Sequence, residues 1–165
     1  KESGAIISYD PNYRAPLWDS VDKAMEMMRV MSQFADIMKI SDEETSLLTP
    51  FNDPLEAANY LVDEGRKLVV VTLGERGALA VSKTGYVEVP GFKSYVVDTT
   101  GAGDSFWGGL LARFLTQNVD LDNITTGQMY DIARFGNAVA SICVEKRGGI
   151  VSIPGLDEIT ERLKK

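Results

Sequence analysis

A glycine-rich turn followed by an aspartate is the segment of this chain best suited to chemistry. The sequence at 98–104 is DTTGAGD, between a predicted strand and a predicted helix over about 103–116. Small residues let the backbone approach a ligand closely, and a helix start presents unpaired N–H groups and the positive end of its dipole. An anion site is therefore predicted here, with Asp104 as a candidate general base. The alternative is that Asp104 is only a helix cap on a tight turn.

The composition excludes several classes of function. The 165 residues include no His and one Cys, so a Ser-His-Asp triad, a Cys-His dyad, a His-ligated metal site and an internal disulfide are impossible within this chain. Seventeen basic against 24 acidic residues give a charge of −7, which argues against a nucleic-acid partner. No apolar run of membrane-spanning length occurs, so no membrane partner is predicted, and a cytoplasmic location is expected.

Apolar runs alternate with segments of helical period, which predicts one α/β domain without an internal boundary. In the first helix, Val21, Ala24, Met25, Met28 and Met31 are predicted to form the buried face. Strands are predicted at 5–9, 35–40, 68–73, 78–82, 86–89 and 95–97, and helices at about 20–34, 41–49, 54–63, 103–116, 126–145 and 156–163.

The run DTTGAGDSFWGGLLA at 98–112 resembles the C-terminal signature of the ribokinase-like, or PfkB, carbohydrate kinases. The resemblance implies a three-layer α/β/α fold with a mostly parallel sheet. It also implies that Asp104 takes the proton from a sugar hydroxyl. By the same resemblance Gly101, Ala102 and Gly103, with the N–H of Asp104, form the anion hole for the phosphoryl group.

Two further segments resemble the family's nucleotide site. The resemblance implies that the TLGERG turn, with Thr72, Gly74 and Gly77, binds nucleotide phosphate, and that Asn137 lies beside the adenine. Without the resemblance, the first segment is a plain turn and Asn137 is a satisfied polar residue on a helix.

The family also implies bound cations. Glu44 in the run KISDEE matches the glutamate that organises Mg²⁺ through water, although Ser41 stands where the family usually has Asn. Ser41 and Glu44 also form a capping-box pattern, which is compatible with a metal role. Asp98 and the loop 147–149 match the place where many relatives bind a monovalent cation such as K⁺.

The run DPNYRAPLW at 10–18 resembles the fructokinase branch of the family. Its two prolines stiffen a loop at a strand's C-terminal end, which is the ligand side of an open α/β sheet. Asn12 and Arg14 are therefore candidate substrate contacts. Alternatively, Arg14 is a solvated surface charge.

Residues 1–165 are thus predicted to be the C-terminal portion of a PfkB-type sugar kinase, without its sugar-binding half and lid. The expected parent reaction uses ATP to phosphorylate fructose at its primary hydroxyl. A kinase for ribose, 2-keto-3-deoxygluconate or a nucleoside, a non-catalytic nucleotide-binding fragment and, more weakly, a dinucleotide-dependent oxidoreductase are the alternatives. The isolated chain is expected to be inactive, and to form a homo-oligomer or to associate through surface that truncation exposes.

Overall fold

The computed structural model describes residues 3–165 and contains five strands and six α-helices in that range. The strands are β1 (Ser8–Tyr9), β2 (Ile37–Ser41), β3 (Leu68–Thr72), β4 (Gly77–Ser82) and β5 (Gly85–Pro90). The helices are α1 (Val21–Ser32), α2 (Thr45–Leu48), α3 (Pro54–Asp63), α4 (Ala102–Thr116), α5 (Thr126–Cys143) and α6 (Leu156–Leu163). Short 3₁₀ turns lie at Ala15–Leu17, Asp42–Glu44, Gly74–Arg76 and Ile150–Ser152.

The strands form one sheet in the order β1-β2-β3-β4-β5. The first three strands are parallel, with Tyr9 opposite Met38 and Ile37 opposite Leu68. The residues of β3 from Leu68 to Val71 are fully buried, as expected for a parallel strand covered on both faces. The predicted α/β class is confirmed.

The described chain divides into two compact units without a linker between them. The first comprises the chain up to Thr72 with Leu79–Tyr86, and the second comprises Leu73–Ala78 with Val87–Lys165. No change in composition marks these boundaries, which explains why the sequence predicted none.

In the first unit, local capping signals set the helix starts. The Ser20 hydroxyl accepts from the Lys23 amide at the start of α1, and the Asp53 carboxylate accepts from the Leu55 and Glu56 amides at the start of α3. The predicted bounds of α3 are confirmed.

The predicted buried face of α1 is correct only in its centre. Ala24, Met28 and Ser32 are buried at intervals of four residues. Val21, in the first turn, and Met31, beside the stripe's edge, are about half exposed. The buried stripe is narrower than the predicted one. Ser32, a small polar residue outside the predicted set, is its last member.

In the second unit, α4 and α5 pack closely at two glycines. A Cβ on Gly109 would lie 2.7 Å from the Val139 side chain, and one on Gly136 would lie 2.9 Å from the Phe106 carbonyl oxygen. Larger residues would force the two helices apart. The Arg113 guanidinium bridges them further by donating to Asp131 at 2.7 Å.

The strand predicted at 95–97 does not form. The amides of Val97 and Asp98 both donate to the Val144 carbonyl, which follows the last residue of α5. A helix end thus takes the role that a neighbouring strand would have. No helix among residues 3–165 is long and apolar enough to cross a membrane.

Candidate active site

The predicted glycine turn lies at the start of α4, in the second unit. Gly101 is the N-cap and has a left-handed backbone, with φ of +78°. A Cβ at this position would lie 3.0 Å from the Cα of Gly149. Glycine is therefore required here for both the backbone angle and the close approach of a second loop.

The amides of this turn are largely free. Ala102 donates its N–H to the Thr99 carbonyl at 3.1 Å, and Ser105 donates to the Gly101 carbonyl at 2.8 Å. The amides of Gly101, Gly103 and Asp104 have no acceptor among residues 3–165. Three of the four predicted anion-hole amides are thus available, and that of Ala102 is already used within the turn.

The Asp104 side chain is exposed and has no hydrogen-bond partner in the described chain. It lines a cavity of about 430 Å³ together with Gly101. Most of the remaining lining is apolar and includes Phe135, Val139 and Ile153. A carboxylate that no protein group occupies can accept a proton from a ligand, which is what a general base requires.

The Asp98 carboxylate bonds to the turn and to the loop at 147–149. Its Oδ1 accepts from the Thr100 amide at 2.9 Å and its Oδ2 accepts from the Gly148 amide at 3.0 Å. These bonds, that from Gly148 first, lower the pKa of Asp98 to about 2. The geometry makes Asp98 a clamp between two loops, and the predicted monovalent-cation site at Asp98 and the loop 147–149 stays a prediction.

A second anchor of this loop, Ser152, is one that sequence reasoning missed. Ser152 is fully buried and its hydroxyl donates to the Gly149 carbonyl at 2.7 Å. The Cys143 sulfur is buried and lies 2.9 Å from the same hydroxyl oxygen. Gly149, which lies against Gly101, is thus held by a serine three residues further along the chain.

The two glycines of the TLGERG turn differ in environment. Gly77 has φ of +103°, and a Cβ there would overlap the Val89 carbonyl oxygen, so this glycine is required by packing. Gly74 has φ of +60° with open space around it, which leaves its backbone accessible to a ligand. Thr72 donates its hydroxyl to the Ile40 carbonyl at 3.4 Å.

Asn137 has a structural role. Its Nδ2 donates to the Val89 and Pro90 carbonyls at 3.1 and 3.2 Å, and the residue is 6% exposed. These bonds join α5 to the end of β5, and the predicted position of Asn137 beside an adenine stays a prediction.

The loop that follows β1 lies in the first unit and carries the predicted substrate contacts. Asn12 is exposed, and its backbone is left-handed with φ of +46°. Its amide donates to Asp10 Oδ1 at 3.0 Å. The Arg14 side chain is exposed, with its guanidinium bonded to the Tyr13 carbonyl at 2.8 Å.

The Glu44 carboxylate is bonded to this loop and to the end of β2. Its Oε1 accepts from the Tyr13 amide at 2.7 Å, and its Oε2 accepts from the amide and hydroxyl of Ser41 at 2.8 and 3.1 Å. Glu44 is only 6% exposed. A carboxylate that is buried and receives three protein donors is not placed to bind Mg²⁺ directly, and the predicted role of Glu44 through water stays a prediction. No group of three or more potential metal-ligating side chains occurs anywhere in 3–165.

A buried ion pair beneath the same loop was not predicted. Lys39 donates its ammonium to Asp10 Oδ2 at 2.9 Å, and the side chains are 6% and 13% exposed. Burial raises the pKa of Asp10, while the Lys39 charge opposes that shift. The parallel register of β1 and β2 was the signal that would have found this pair, because it brings residue 10 beside residue 39.

The predicted site residues divide between the two units. The first unit holds Asn12, Arg14, Glu44 and Thr72, and the second holds Gly74, Gly77, Asp98, Gly101, Ala102, Gly103, Asp104 and Asn137.

Solved structures that match this chain include two fructokinases. The fructokinase of Vibrio cholerae O395 matches with a TM-score of 0.88 and 31% identity, over 98% of this chain and 52% of that one. The fructokinase of Xylella fastidiosa matches with a TM-score of 0.86 and 28% identity, over 99% and 53%. These similarities confirm the ribokinase-like fold class.

The family follows from the sequence as a whole. The family described as pfkB family carbohydrate kinase matches residues 1–156, and this chain belongs to it. Fructokinase-2 of Solanum lycopersicum is 39% identical over 165 residues, which are 99% of this chain and 50% of that protein. Fructokinase-2 of Zea mays is 40% identical over 156 residues. The chain thus spans about half the length of these relatives.

Proposed function

We propose that residues 1–165 form the C-terminal portion of a sugar kinase, which carries its phosphoryl site and catalytic base. In the whole protein, the reaction is transfer of the γ-phosphate of ATP to the primary hydroxyl of fructose. The observation that carries the proposal is the free Asp104 carboxylate next to the unbonded amides of Gly101 and Gly103.

The chemistry follows from these groups. Asp104 accepts the hydroxyl proton as the sugar oxygen forms its bond to the γ-phosphorus. The bond from that phosphorus to the bridging oxygen breaks, and ADP leaves. The backbone amides of the turn and the positive end of α4 stabilise the negative charge on the transferred group. Glycine at 101 keeps side-chain atoms out of the space where the phosphate oxygens must approach.

Fructose is the favoured acceptor because fructokinases are relatives at 39% and 40% identity. The Vibrio cholerae structure contains fructose, ADP and calcium. The exposed Arg14 and Asn12 support this choice by leaving polar groups available to a ligand. A nucleoside-like acceptor is the second candidate, because the aminoimidazole riboside kinase of Salmonella enterica also matches, with a TM-score of 0.83.

ATP with a divalent cation is the proposed co-substrate. A related structure from E. coli holds ATP and Mg²⁺ together. Because Glu44 already receives three protein donors, the metal is proposed to arrive with the nucleotide phosphates, to which Mg²⁺ commonly binds while it keeps several waters. Potassium dependence is a separate proposal, which rests on the resemblance at Asp98 and the loop 147–149.

The 165-residue chain alone is proposed to bind nucleotide without turnover, because it spans half the length of its relatives. Calorimetric titration with ATP and with NAD tests this directly. Binding of ATP with no phosphorylation of fructose is expected. A clear preference for NAD would reject the kinase assignment in favour of an oxidoreductase.

The acceptor is tested in a chimera in which this chain replaces the matching half of Solanum lycopersicum fructokinase-2. We expect ATP-dependent phosphorylation of fructose in preference to ribose. A folded chimera that binds ATP and phosphorylates neither sugar would contradict the proposed activity. Preference for a nucleoside would favour the second candidate.

A further inference from the structure

We infer that Lys39 is a positioning residue, which holds the Asp10 carboxylate so that the loop at 10–14 presents Asn12 and Arg14. The inference rests on the proposed function for what these two residues bind, but the contacts that carry it lie in the first unit alone. Lys39 itself touches no candidate ligand group. Its partner is the Asp10 carboxylate.

The pair is set by the sheet. Tyr9 lies opposite Met38 in the parallel β1–β2 ladder, so the chain leaves β1 at Asp10 next to Lys39. Asp10 is the last point at which the strand constrains the loop. A cation in the middle of β2 therefore fixes the loop's first residue.

The burial of this pair is energetically expensive. Lys39 is 5% exposed, and its neighbours in β2, Met38 and Ile40, are fully buried and apolar. Taking two charges out of water costs more than an apolar pair of the same size would, unless the geometry is good and the remaining lone pairs are used. The geometry is good, since Asp10 Oδ2 meets the ammonium at 2.9 Å, and the second oxygen is also used, because Oδ1 accepts from the Asn12 amide at 3.0 Å.

The bond from the Asn12 amide to Asp10 Oδ1 links the ion pair to the conformation of the loop. The Asp10 side chain forms a turn over two residues, which helps Asn12 to remain in its left-handed conformation. Glu44 takes the next amide, that of Tyr13, at 2.7 Å. Two consecutive amides of an exposed loop are thus held by two carboxylates, and only the side chains of Asn12 and Arg14 are left exposed.

The titratable groups around the pair allow a specific readout. Tyr9 and Glu44 face Asp10, and the negative charge of Glu44 raises the pKa of Asp10. Lys39 is the group whose charge and hydrogen bond lower it. Loss of the Lys39 charge is therefore expected to raise the Asp10 pKa further, which loss of packing alone would not do.

The test uses the 165-residue chain and the variants Lys39→Met and Lys39→Arg. Hydrogen exchange at the amides of Asn12 and Tyr13 and the carboxyl ¹³C titration of Asp10 are measured by NMR. In Lys39→Met we expect exchange at Asn12 to accelerate by about tenfold or more and the Asp10 titration to move to higher pH. Lys39→Arg keeps the charge and is expected to restore most of the protection.

Arg66→Met is the matched control. Arg66 is 4% exposed in the same unit, and it donates to the Ser32 carbonyl and hydroxyl and to the Glu64 carbonyl. Its loss removes an equally buried cation from contacts that do not include the loop. If Arg66→Met accelerates exchange at Asn12 as much as Lys39→Met does, or if Lys39→Met leaves the Asn12 amide and the Asp10 titration unchanged, the inference is wrong.

The chimera supplies the link to function. Lys39→Met is expected to raise the KM for fructose by about tenfold with a smaller change in kcat, because the loop is misplaced while the base is intact. An unchanged KM with accelerated exchange would overturn the role in substrate positioning. If the parent chimera phosphorylates no sugar, the proposed function fails, whereas the loop-holding role is still decided by hydrogen exchange.

Discussion

The loop at 10–14 and the turn at 98–104 are both tied by carboxylates to backbone amides, but they differ in what else holds them. The loop is held by buried side-chain charges, Lys39 with Asp10 and, separately, Glu44. The turn is held mainly by backbone, with Gly101 against Gly149 and one carboxylate, Asp98, that joins two loops through amides.

The difference shows what each region tolerates. A side-chain scaffold fails when a charge is left unpaired, and it responds to pH through that charge. A backbone scaffold fails when a Cβ is added, and it leaves its own amides free for an anion. The first arrangement suits the orientation of side chains toward a substrate, and the second suits the stabilisation of a phosphoryl group.

The largest expected effect is that of Asp104→Asn. In an active chimera this change should lower kcat by about 10²–10⁴ while ATP affinity is retained, because only the proton acceptor is lost. Asp157→Asn is the control, since Asp157 is an equally exposed aspartate in the first turn of α6. Steady-state kinetics with both variants measure the effect, and near-normal turnover of Asp104→Asn would remove the base assignment.

A smaller effect is expected from adding one methyl group to the turn. Gly101→Ala should destabilise the chain by roughly 1–3 kcal/mol through its positive φ, in addition to the close contact with Gly149. Gly108→Ala is the control within α4, because a Cβ there meets nothing within 4 Å. It should stabilise by about 0.5–1 kcal/mol. Denaturant unfolding distinguishes the two variants. Equal free energies of unfolding would show that neither the backbone angle nor the close contact at Gly101 requires glycine.

A pH-dependent effect is expected from Asp98→Asn. The folded pKa of Asp98, about 2, lies below its unfolded value of about 3.9, so its stabilising contribution is present above pH 4 and is lost as pH falls toward 2. The variant should therefore melt at a lower temperature than the parent at pH 6, with the difference shrinking toward pH 2. Thermal melts across this range test it, and a difference that grows on acidification would contradict it.

The smallest effect concerns association. Leu17, Phe34, Tyr95 and Ile150 are among the large apolar side chains that the structure leaves exposed, Ile150 to 87%. Concentration-dependent self-association is expected, because apolar surface of this kind favours contact between molecules. Sedimentation velocity measures it, and a single monomer boundary at high concentration would contradict the expectation.

The sequence was informative where the determinants are local. The predicted bounds of α3 match the observed ones, and the glycine spacing marked the turn before α4. It was misleading where a partner lies far along the chain. The segment 95–97 has the composition of a strand but bonds to Val144, and nothing in the sequence around Asn137 indicated its bond to Val89. The hydrogen-bond partner that such a group finds depends on tertiary contacts between segments that lie far apart in the sequence.

The most direct test of the central claim is an ATP titration of the ¹⁵N-labelled chain, followed at the amides of the turn. We predict saturable shifts at Gly101, Gly103 and Asp104 that are larger than the shift at Ala102, whose N–H is bonded to Thr99. Binding of ATP that leaves these three amides unchanged, or no binding of ATP at all, would contradict the claim that they receive its phosphates.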